Sequence, residues 1–201
     1  MKKREYSCET STVSSIRLFI LGSLAERGEM HGHAIRLLAE EERIDNWTDF
    51  GPGAIYGAIK RLAADELIVE RRTEREGNYP ERQIYGITHT GTAMLAELRR
   101  DGLEHIVYRH DPVDLAIARY DPDNMDGLVA ALRERLAELK NRRTYAEQHG
   151  ALIRQYLTLM ESHVMRHQHH RLSGEIAWHE ELLAAMPEII LDENVRKSTA
   201  S

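Results

Sequence analysis

The stretch GAIYGAIKRLAADELI, residues 53–68, decides how the first half of this 201-residue chain folds. Its apolar residues Ile55, Ile59 and Leu62 follow one another at spacings of four and three, so they line one face of a helix that packs against a core. The other side of this helix and of the turn before it carries small, aromatic and cationic residues, which are Gly53, Tyr56, Gly57, Lys60 and Arg61. By spacing alone, that side is either the solvated back of a core helix or a surface that contacts a partner.

Two further helices are predicted before this stretch. The segment SSIRLFILGSLAERG, residues 14–28, has apolar residues at helical spacing, and Gly28 is typical of a helix end. The segment HGHAIRLLAEEER, residues 31–43, has the same spacing with glutamates on its outer side. The glycines and the proline of DNWTDFGPG then break the chain, and Pro52 suits the first turn of the next helix.

A β-hairpin and a fourth helix are predicted after the stretch. Two short strands, around residues 67–73 and 82–87, flank a polar tip that contains glycine and proline. Thr88 then caps a helix whose apolar residues again have helical spacing. Three helices, a hairpin and a helix, in this order, predict a winged helix-turn-helix domain over residues 14–103, with the hairpin as its wing.

The second half of the chain is predicted to be helical and to need a partner. After a linker over residues 104–122, apolar residues form two helical stripes, and a kink is expected at Ser173–Gly174. The first stripe is Leu128, Leu132, Leu136 and Leu139, and the second is Leu152, Tyr156, Leu159, Met160, Ile176, Leu182 and Leu183. Two long helices do not enclose a core by themselves, so we expect residues 123–187 to form a helical dimerisation domain that packs against a second copy of the chain. The ends, residues 1–13 and 188–201, are predicted to be disordered.

Composition excludes several classes of protein. Charged residues make up 30% and hydrophobic residues 42% of the chain, as in ordinary globular proteins, and no apolar run has the length of a membrane span. The only cysteine, Cys8, excludes a disulfide framework, and we expect a cytoplasmic protein. Because the chain has no G-x-S-x-G, Walker or dinucleotide-binding motif, we expect neither an enzyme nor a cofactor. The net charge of −6 divides into −1 for residues 1–100 and −5 for residues 101–201, so nucleic-acid binding has to rest on the local placement of cations.

From residue 55 to the start of the fourth helix, the order of residue types along the chain resembles that of PadR-type bacterial transcriptional regulators. The matching residues are Ile55, Tyr56, Ile59, Lys60, Arg61 and Leu62, followed by Arg82, Tyr85, Ile87, Thr88 and Gly91. The run HGHAI is similar to the family's HG-aromatic-x-I, with His33 where an aromatic residue is usual. Glu66 stands where the family usually has glycine, so the exit turn of the third helix is expected not to use the glycine geometry. Gly57 stands where proline is common.

The resemblance implies a mainly α protein with a small β-hairpin, built from an N-terminal winged helix-turn-helix domain and C-terminal long dimerisation helices. It also implies a homodimeric regulator, expected to be an effector-responsive repressor, that inserts the helix of residues 53–64 into the major groove of double-stranded operator DNA. The residues expected to contact DNA are Gly53, Tyr56, Gly57, Lys60 and Arg61 on this helix, Arg72, Arg75 and Arg82 on the wing, and His31 at a helix end. For the wing arginines, pairing with the interleaved glutamates across the hairpin is the open alternative.

Three histidines in the second half allow a different interpretation. His163, His167 and His170 share one helical face at spacings of four and three, which suits Zn²⁺ or Ni²⁺ and would make the protein a metal-responsive regulator. Solvent-facing histidines flanked by arginines explain the same pattern. No nearby carboxylate or cysteine evidently completes a ligand set, and Glu161, Glu175 or a second subunit is the open alternative. We therefore assign no metal site from the sequence.

Two further alternatives concern partners. Tyr108, Tyr156 and Trp178 are candidates for lining a small-molecule effector pocket, although the aromatic core of a dimer accounts for them equally well. The acidic net charge also allows a winged-helix module that binds a protein instead of DNA.

Overall fold

The structure, a computed structural model, describes residues 14–75, 81–106 and 110–200, and the chain divides into one unit that ends at residue 108 and a second that begins at residue 109. The first unit contains the helices α1 (Ser15–Arg27), α2 (Gly32–Glu41), α3 (Ile55–Ala64) and α4 (His89–Glu104) and the strands β1 (Met30–His31), β2 (Ile68–Glu74) and β3 (Arg82–Ile87). The second unit contains the helices α5 (Pro112–Ala118), α6 (Met125–Ile153) and α7 (Leu159–Ala200). Single 3₁₀ turns lie at Ile44–Asn46, Pro52–Ala54, Pro122–Asn124 and Arg154–Tyr156. The predicted fold class is confirmed: the chain is mainly α with a small β-hairpin, and it has an N-terminal winged helix-turn-helix domain and long C-terminal helices.

The core of the first unit is built from one face of each of its helices and the base of the hairpin. In α3 the predicted stripe of Ile55, Ile59 and Leu62 is buried, and it belongs to the same cluster as Ile20 and Leu21 of α1. Each such side chain contributes roughly 1.5–3 kcal/mol to folding when it leaves water. Because this stripe faces the core, the opposite side of α3 faces outward.

The sheet has three antiparallel strands in the order β1-β3-β2. Met30 pairs with Tyr85 between β1 and β3, and Ile68 pairs with Ile87 at the base of the hairpin. The sequence predicts the hairpin but not β1, because a strand of two residues has no period to detect. We call β2, β3 and the residues between them the wing; residues 76–80 of its tip lie outside the described residues.

The exit from α3 corrects one expectation. Glu66 has a φ of +56°, in the left-handed region that favours glycine. The N–H of Leu67 donates to the carbonyl of Leu62 at 2.9 Å, and the N–H of Glu66 donates to the carbonyl of Ala63 at 3.1 Å, which together form a Schellman motif. The expectation that this turn avoids the glycine geometry is therefore wrong. The turn uses that geometry, and the glutamate is held in a strained backbone conformation.

The start of α4 is joined to the same turn. The hydroxyl oxygen of Thr88 accepts a bond from the N–H of Gly91 at 2.9 Å, as expected of an N-cap. The N–H of Thr88 donates to the carbonyl of Leu67 at 3.1 Å, and its hydroxyl donates to the carbonyl of Glu66 at 2.8 Å. A Cβ at position 91 would lie 2.0 Å from the carbonyl oxygen of Leu67, so only glycine fits there. The Thr-x-x-Gly run therefore holds α3, the wing and α4 together at one point.

In the second unit, α6 and α7 pack against each other as an antiparallel pair. Leu128 and Leu132 near the start of α6 pack with Met186 in the second half of α7. At the other end of α6, the carboxylate of Glu147 lies 3.7 Å from the ring of His169. Part of the predicted apolar surface is thus buried within one chain, without a second copy.

The chain turns between α6 and α7 at residues 154–158, where the sequence analysis places no break. The N–H of Thr158 donates to the carboxylate of Glu161 at 2.7 Å, and the N–H of Glu161 donates to the hydroxyl of Thr158 at 3.2 Å, which is a capping box. The hydrogen bonds from the Thr158 hydroxyl and backbone lower the pKa of the Glu161 carboxyl group below its usual value. The Thr-Leu-Met-Glu run was the available sequence signal for this helix start. Ser173 and Gly174, where a kink is expected, lie inside α7.

The end of the chain also differs from the expectation. Helix α7 continues to Ala200, so residues 188–200 are helical instead of disordered. Ile189 and Ile190 pack against the core between α6 and α7, and Lys197 donates to the loop before α6. These contacts offset Pro187, which lies inside the helix and removes one backbone hydrogen bond. Over the described ranges, the structure has no helix with both the length and the apolar character that crossing a membrane requires.

Helix α5 occupies part of the segment expected to be a linker, and polar contacts tie it to α6 and α7. The carboxylate of Asp111 accepts from the N–H of Val113 at 2.9 Å and from the guanidinium of Arg135. The bond from Val113 and the charge of Arg135 lower the pKa of the Asp111 carboxyl group. Arg135 also donates from Nε to Nε2 of His179 at 3.1 Å, while Nδ1 of His179 lies 2.7 Å from the carbonyl oxygen of Glu175. His179 is fully buried, and both of its ring nitrogens have hydrogen-bond partners.

The tight approach at Gly91 predicts a large effect of a small substitution. We expect Gly91→Ala to lower the free energy of unfolding of the first unit by more than about 3 kcal/mol, because the new methyl group overlaps a backbone oxygen that is fixed on both sides. Gly22→Ala is the matched control, since nothing lies within 4 Å of a Cβ at that position of α1. It should raise the stability by about 0.5–1 kcal/mol. Urea titration followed by circular dichroism measures both, and a stable Gly91→Ala protein would contradict the packing at this point.

The left-handed backbone conformation of Glu66 predicts that glycine at this position stabilises the protein. Glu66→Gly should raise the free energy of unfolding by about 0.5–1 kcal/mol, because glycine adopts a φ of +56° without the cost that a Cβ brings. Glu66→Ala removes the same carboxylate but keeps a Cβ, so it should give no gain. Thermal unfolding of the three proteins separates backbone strain from charge, and equal stabilisation by glycine and alanine would rule out the strain.

Candidate nucleic-acid interface

The outer side of α3 is an exposed surface without an acidic residue. The exposed residues of α3 and of the turn before it include Gly53, Tyr56, Gly57, Lys60 and Arg61. The first acidic residue after them is Asp65, whose carboxylate is paired with the guanidinium of Arg17. This surface therefore carries two positive charges, from Lys60 and Arg61, although the net charge of the chain is −6.

In the described part of the first unit, six other arginines are paired with carboxylates. The ion pairs are Arg17–Asp65, Arg27–Glu42, Arg36–Glu40, Arg71–Glu29, Arg72–Glu29, Arg72–Glu74 and Arg100–Asp101. The side chains of Lys60 and Arg61 make no ion pair or hydrogen bond with any residue in the described ranges. The cationic groups of α3 are therefore available to an anion from outside the chain.

Tyr56 is held against the start of α2. A Cβ at position 32 would lie 3.2 Å from Cε1 of Tyr56 and 3.1 Å from Cδ1 of Ile59, so Gly32 allows α2 and α3 to approach closely. The Tyr56 side chain nevertheless remains 47% exposed. Its ring is therefore positioned by packing while part of it stays accessible to a partner.

His31 has a structural role that the sequence analysis does not assign. It is the N-cap of α2, where its Nδ1 accepts the N–H of Ala34 at 2.8 Å. Because Nδ1 accepts this bond, the proton of the neutral ring is on Nε2, which is then a donor next to the N-terminus of α2. The unpaired N–H groups at a helix N-terminus favour an anion. The predicted phosphate contact by His31 is thus compatible with the cap, since each uses a different ring nitrogen.

The three wing arginines that are predicted to contact phosphate have different surroundings. Arg72 pairs with the carboxylate of Glu29 and, at 2.5 Å from its Nε, with that of Glu74. Hydrogen bonds to Glu74 and then to Glu29 raise the pKa of the Arg72 guanidinium above its usual value. Arg82 is half-buried at the start of β3, opposite Glu74. Arg75 follows β2, is exposed, and makes no ion pair within the part of the chain that the structure describes.

Of the predicted effector-pocket residues, the two that the structure describes, Tyr156 and Trp178, lie far apart within one chain. Tyr108 lies outside the described residues. Tyr156 is 78% exposed in the turn between α6 and α7, whereas Trp178 lies on α7 with its ring edge against His179, 4.7 Å between centroids. Since a helix rises about 1.5 Å per residue, Trp178 is roughly 30 Å from the start of α7 beside Tyr156. One small molecule therefore does not contact both aromatic residues of the same chain.

The histidines predicted as an alternative metal site lie on the surface of α7. His163, His167 and His170 are all exposed, and Nε2 of His163 lies 2.9 Å from a guanidinium nitrogen of Arg166. Across residues 14–75, 81–106 and 110–200, no three or more His, Cys, Asp or Glu side chains are grouped so as to hold a metal ion. No contact in the structure therefore favours a metal-responsive regulator.

Sequence reasoning missed two residues that shape this surface. Gly32 lies in the run HGHAI, where a glycine directly after a capping histidine was an available signal for close helix packing. Glu29 gave no signal, because its partner Arg72 is 43 residues away in sequence. Both residues act on functional side chains through contacts that only the fold creates.

Comparison with known proteins supports the predicted resemblance. Residues 20–97 match the family model described as the transcriptional regulator PadR-like family. The matched segment includes all of α2, α3 and the wing, and the resemblance predicted from the sequence is confirmed over this segment. Among curated proteins, none is a significant match to the chain.

Solved structures with the same fold cover nearly the whole chain. PadR of Bacillus subtilis in complex with operator DNA is 19% identical, with a TM-score of 0.65 over 86% of this chain and 98% of that one. A PadR-like transcriptional regulator from Bacillus cereus is 17% identical, with a TM-score of 0.63 over 86% and 98%. Bacillus subtilis PadR in complex with p-coumaric acid is 16% identical, with a TM-score of 0.63 over 88% and 97%. At these identities the similarity concerns the fold.

The cap at His31 predicts that asparagine replaces the histidine without loss of stability. We expect His31→Asn to unfold at the same free energy as the parent chain, because asparagine is a strong N-cap. His31→Leu has a similar volume but no acceptor, so it should be destabilised by about 1 kcal/mol. Chemical unfolding of the three proteins measures this, and equal stabilities for asparagine and leucine would contradict the capping role.

Proposed function

We propose that this chain, whose residues 20–97 match the model of the PadR-like family of transcriptional regulators, is a sequence-specific DNA-binding regulator that inserts α3 into the major groove. The protein then acts in the bacterial cytoplasm, where its operator is. Gly53 and Gly57 give the outer side of α3 a slim profile that allows close approach to base edges. Tyr56 and Lys60 lie on that side, and Arg61 lies at its flank, where a phosphate would be met.

The single observation that carries this proposal is the charge distribution around α3. Lys60 and Arg61 have no partner among the described residues, whereas six other arginines of the first unit are held by carboxylates. A solvated back of a core helix would not need to exclude acidic residues from its surface. DNA is a polyanion, so a surface with free cations and no acids matches it even in a chain of net charge −6.

We also propose that the protein is a homodimer, with the second unit as the dimerisation domain. Several large apolar side chains around the turn between α6 and α7 are exposed in the single chain, namely Leu152, Tyr156, Leu159 and Met160, with exposed fractions of 72–78%. Apolar side chains clustered on a surface in this way are typical of a protein interface. A second copy of the chain is the simplest partner, because a two-fold contact covers the same surface on both copies.

In the proposed mechanism, the dimer presents two copies of α3 to successive major grooves of a nearly palindromic site, about 34 Å apart. Arg75 and His31 add phosphate contacts beside each α3 helix. The sign of regulation that we propose is repression. An effector would lower operator affinity by binding more tightly to a conformation in which the two α3 helices no longer match the groove spacing.

This proposal predicts the effect of removing one cation from α3. Lys60→Ala should weaken operator binding about tenfold or more and should reduce the slope of log affinity against log salt by about 1 for each lost phosphate contact. The fold should be unaffected, because the Lys60 side chain contacts solvent. Fluorescence anisotropy with labelled upstream DNA of the chain's own operon, at several salt concentrations, measures both quantities.

Arg99→Ala is the matched control, since Arg99 is an exposed cation of α4 that makes no ion pair within the described residues. It removes the same charge from the same unit but should leave operator affinity nearly unchanged. Equal losses for the two variants would indicate a general charge effect and would contradict the assignment of α3.

Sedimentation of the same proteins reports the molar mass, and a monomeric parent chain would contradict the dimer. Binding that does not depend on salt would favour a protein partner over DNA.

A further inference from the structure

One carboxylate in the first unit converges with two arginines of the wing. Glu29 lies in the turn between α1 and β1, and one of its oxygens contacts Nη1 of Arg72. Its other oxygen lies 3.8 Å from Nε of Arg71. A side chain outside the wing therefore holds both arginines in the middle of β2.

Two features of the sheet make this convergence possible. The register between β2 and β3 shifts between Glu70 and Arg72, so Arg71 is the extra residue of a bulge. In β3, a Cβ at position 86 would lie 2.9 Å from Nε of Arg71 and 3.5 Å from Cγ of Glu29. The absence of a side chain at Gly86 therefore lets Arg71 reach across β3 toward Glu29. The bulge and the glycine together bring the guanidinium groups and the carboxylate onto one patch.

These ion pairs lie at the surface, where an external anion can compete for the arginines. The side chains of Glu29, Arg71 and Arg72 are each about half exposed, at 41%, 49% and 51%. Exposed pairs of this kind are weak because water and salt screen them. Guanidinium donors prefer the planar geometry of carboxylates and phosphates alike, so Glu29 occupies donors that a DNA phosphate would use.

We propose that Glu29 limits the DNA affinity of this protein by holding Arg71 and Arg72 away from the phosphate backbone. This inference rests on the proposed function and concerns the wing of the same DNA-binding unit. In the parent chain, α3 and the residues beside it supply the cationic contacts, and Arg71 and Arg72 contribute little. Loss of the Glu29 charge removes the carboxylate that lies beside Arg71 and one of the two carboxylates that pair with Arg72, the other being Glu74. The two guanidinium groups are then more available for additional, sequence-independent phosphate contacts.

The test uses the full chain and compares Glu29→Gln with Glu26→Gln. Glu29→Gln keeps the shape of the side chain and removes its charge, so we expect roughly tenfold tighter binding to both operator and random-sequence DNA. The slope of log affinity against log salt should become steeper by about 0.9 for each new phosphate contact, or about 2 for a dimer that gains one per protomer. Glu26 is an exposed glutamate of α1 that forms no ion pair within the described ranges, so Glu26→Gln should leave the slope unchanged.

Arg72→Ala completes the design as a double-mutant cycle. In the parent chain, Arg72→Ala should leave the salt slope nearly unchanged, because Arg72 is held by Glu29 and Glu74. In the Glu29→Gln background, Arg72→Ala should reverse part of the increase in the slope of log affinity against log salt. Each protein is first checked for an unchanged unfolding transition.

The possible outcomes separate this inference from the proposed function. A parent chain that does not bind its upstream DNA contradicts the proposed function itself. A parent chain that binds DNA, with a slope that Glu29→Gln leaves unchanged or alters no more than Glu26→Gln does, overturns the role of Glu29 alone. A decrease of the slope by about 0.9 on Arg72→Ala in the parent chain also overturns it, because Arg72 would then contact phosphate while Glu29 is present.

Discussion

The backbone carbonyl of Leu67 is the point on which the geometry of the first unit depends. It accepts the N–H of Thr88, while the N–H of the same residue closes the turn at the end of α3. Gly91 lies against this carbonyl without a side chain. Three elements are thereby fixed at one residue: the end of α3, the base of the wing and the start of α4. The outward direction of Tyr56 and Lys60 follows from this junction as well as from the apolar stripe beneath them, because a helix held at its end and along one face has little freedom to rotate.

The sequence was sufficient for those parts of the fold that local periodicity encodes. The stripe of Ile55, Ile59 and Leu62 predicts the buried face of α3, and Thr88 predicts the start of α4. The parts that it did not predict depend on contacts between distant residues or on very short elements. Strand β1 has two residues, and Glu29 meets Arg72 only after the sheet has formed. The helical tail beyond Pro187 exists because of packing on α6, which outweighs a local signal for a helix end.

The acidic net charge and the proposed DNA-binding function are reconciled by where the charges lie. Six acidic residues in the described part of the first unit form ion pairs with arginines, namely Glu29, Glu40, Glu42, Asp65, Glu74 and Asp101. Such pairs have no net charge at the distances over which salt screens exposed groups, about 10 Å. The cations of α3 lie on a surface that has no acidic residue of its own, so their charge is not cancelled within that helix. The net charge taken from composition underestimates the ability of such a chain to bind an anion, because it counts paired and free charges equally.

The buried His179 has a consequence for how α6 and α7 are aligned. Leucines that recur every four residues, such as Leu128 and Leu132, would still find apolar neighbours if one helix slid along the other by a full turn. His179 would not, because such a slip separates it from Arg135 and leaves a buried ring nitrogen without a partner, at a cost of about 1–3 kcal/mol. The apolar contacts thus supply most of the adhesion, and the single polar contact selects one alignment among several that would otherwise be nearly equal. The buried polar contact of His179 therefore sets the register of α6 against α7.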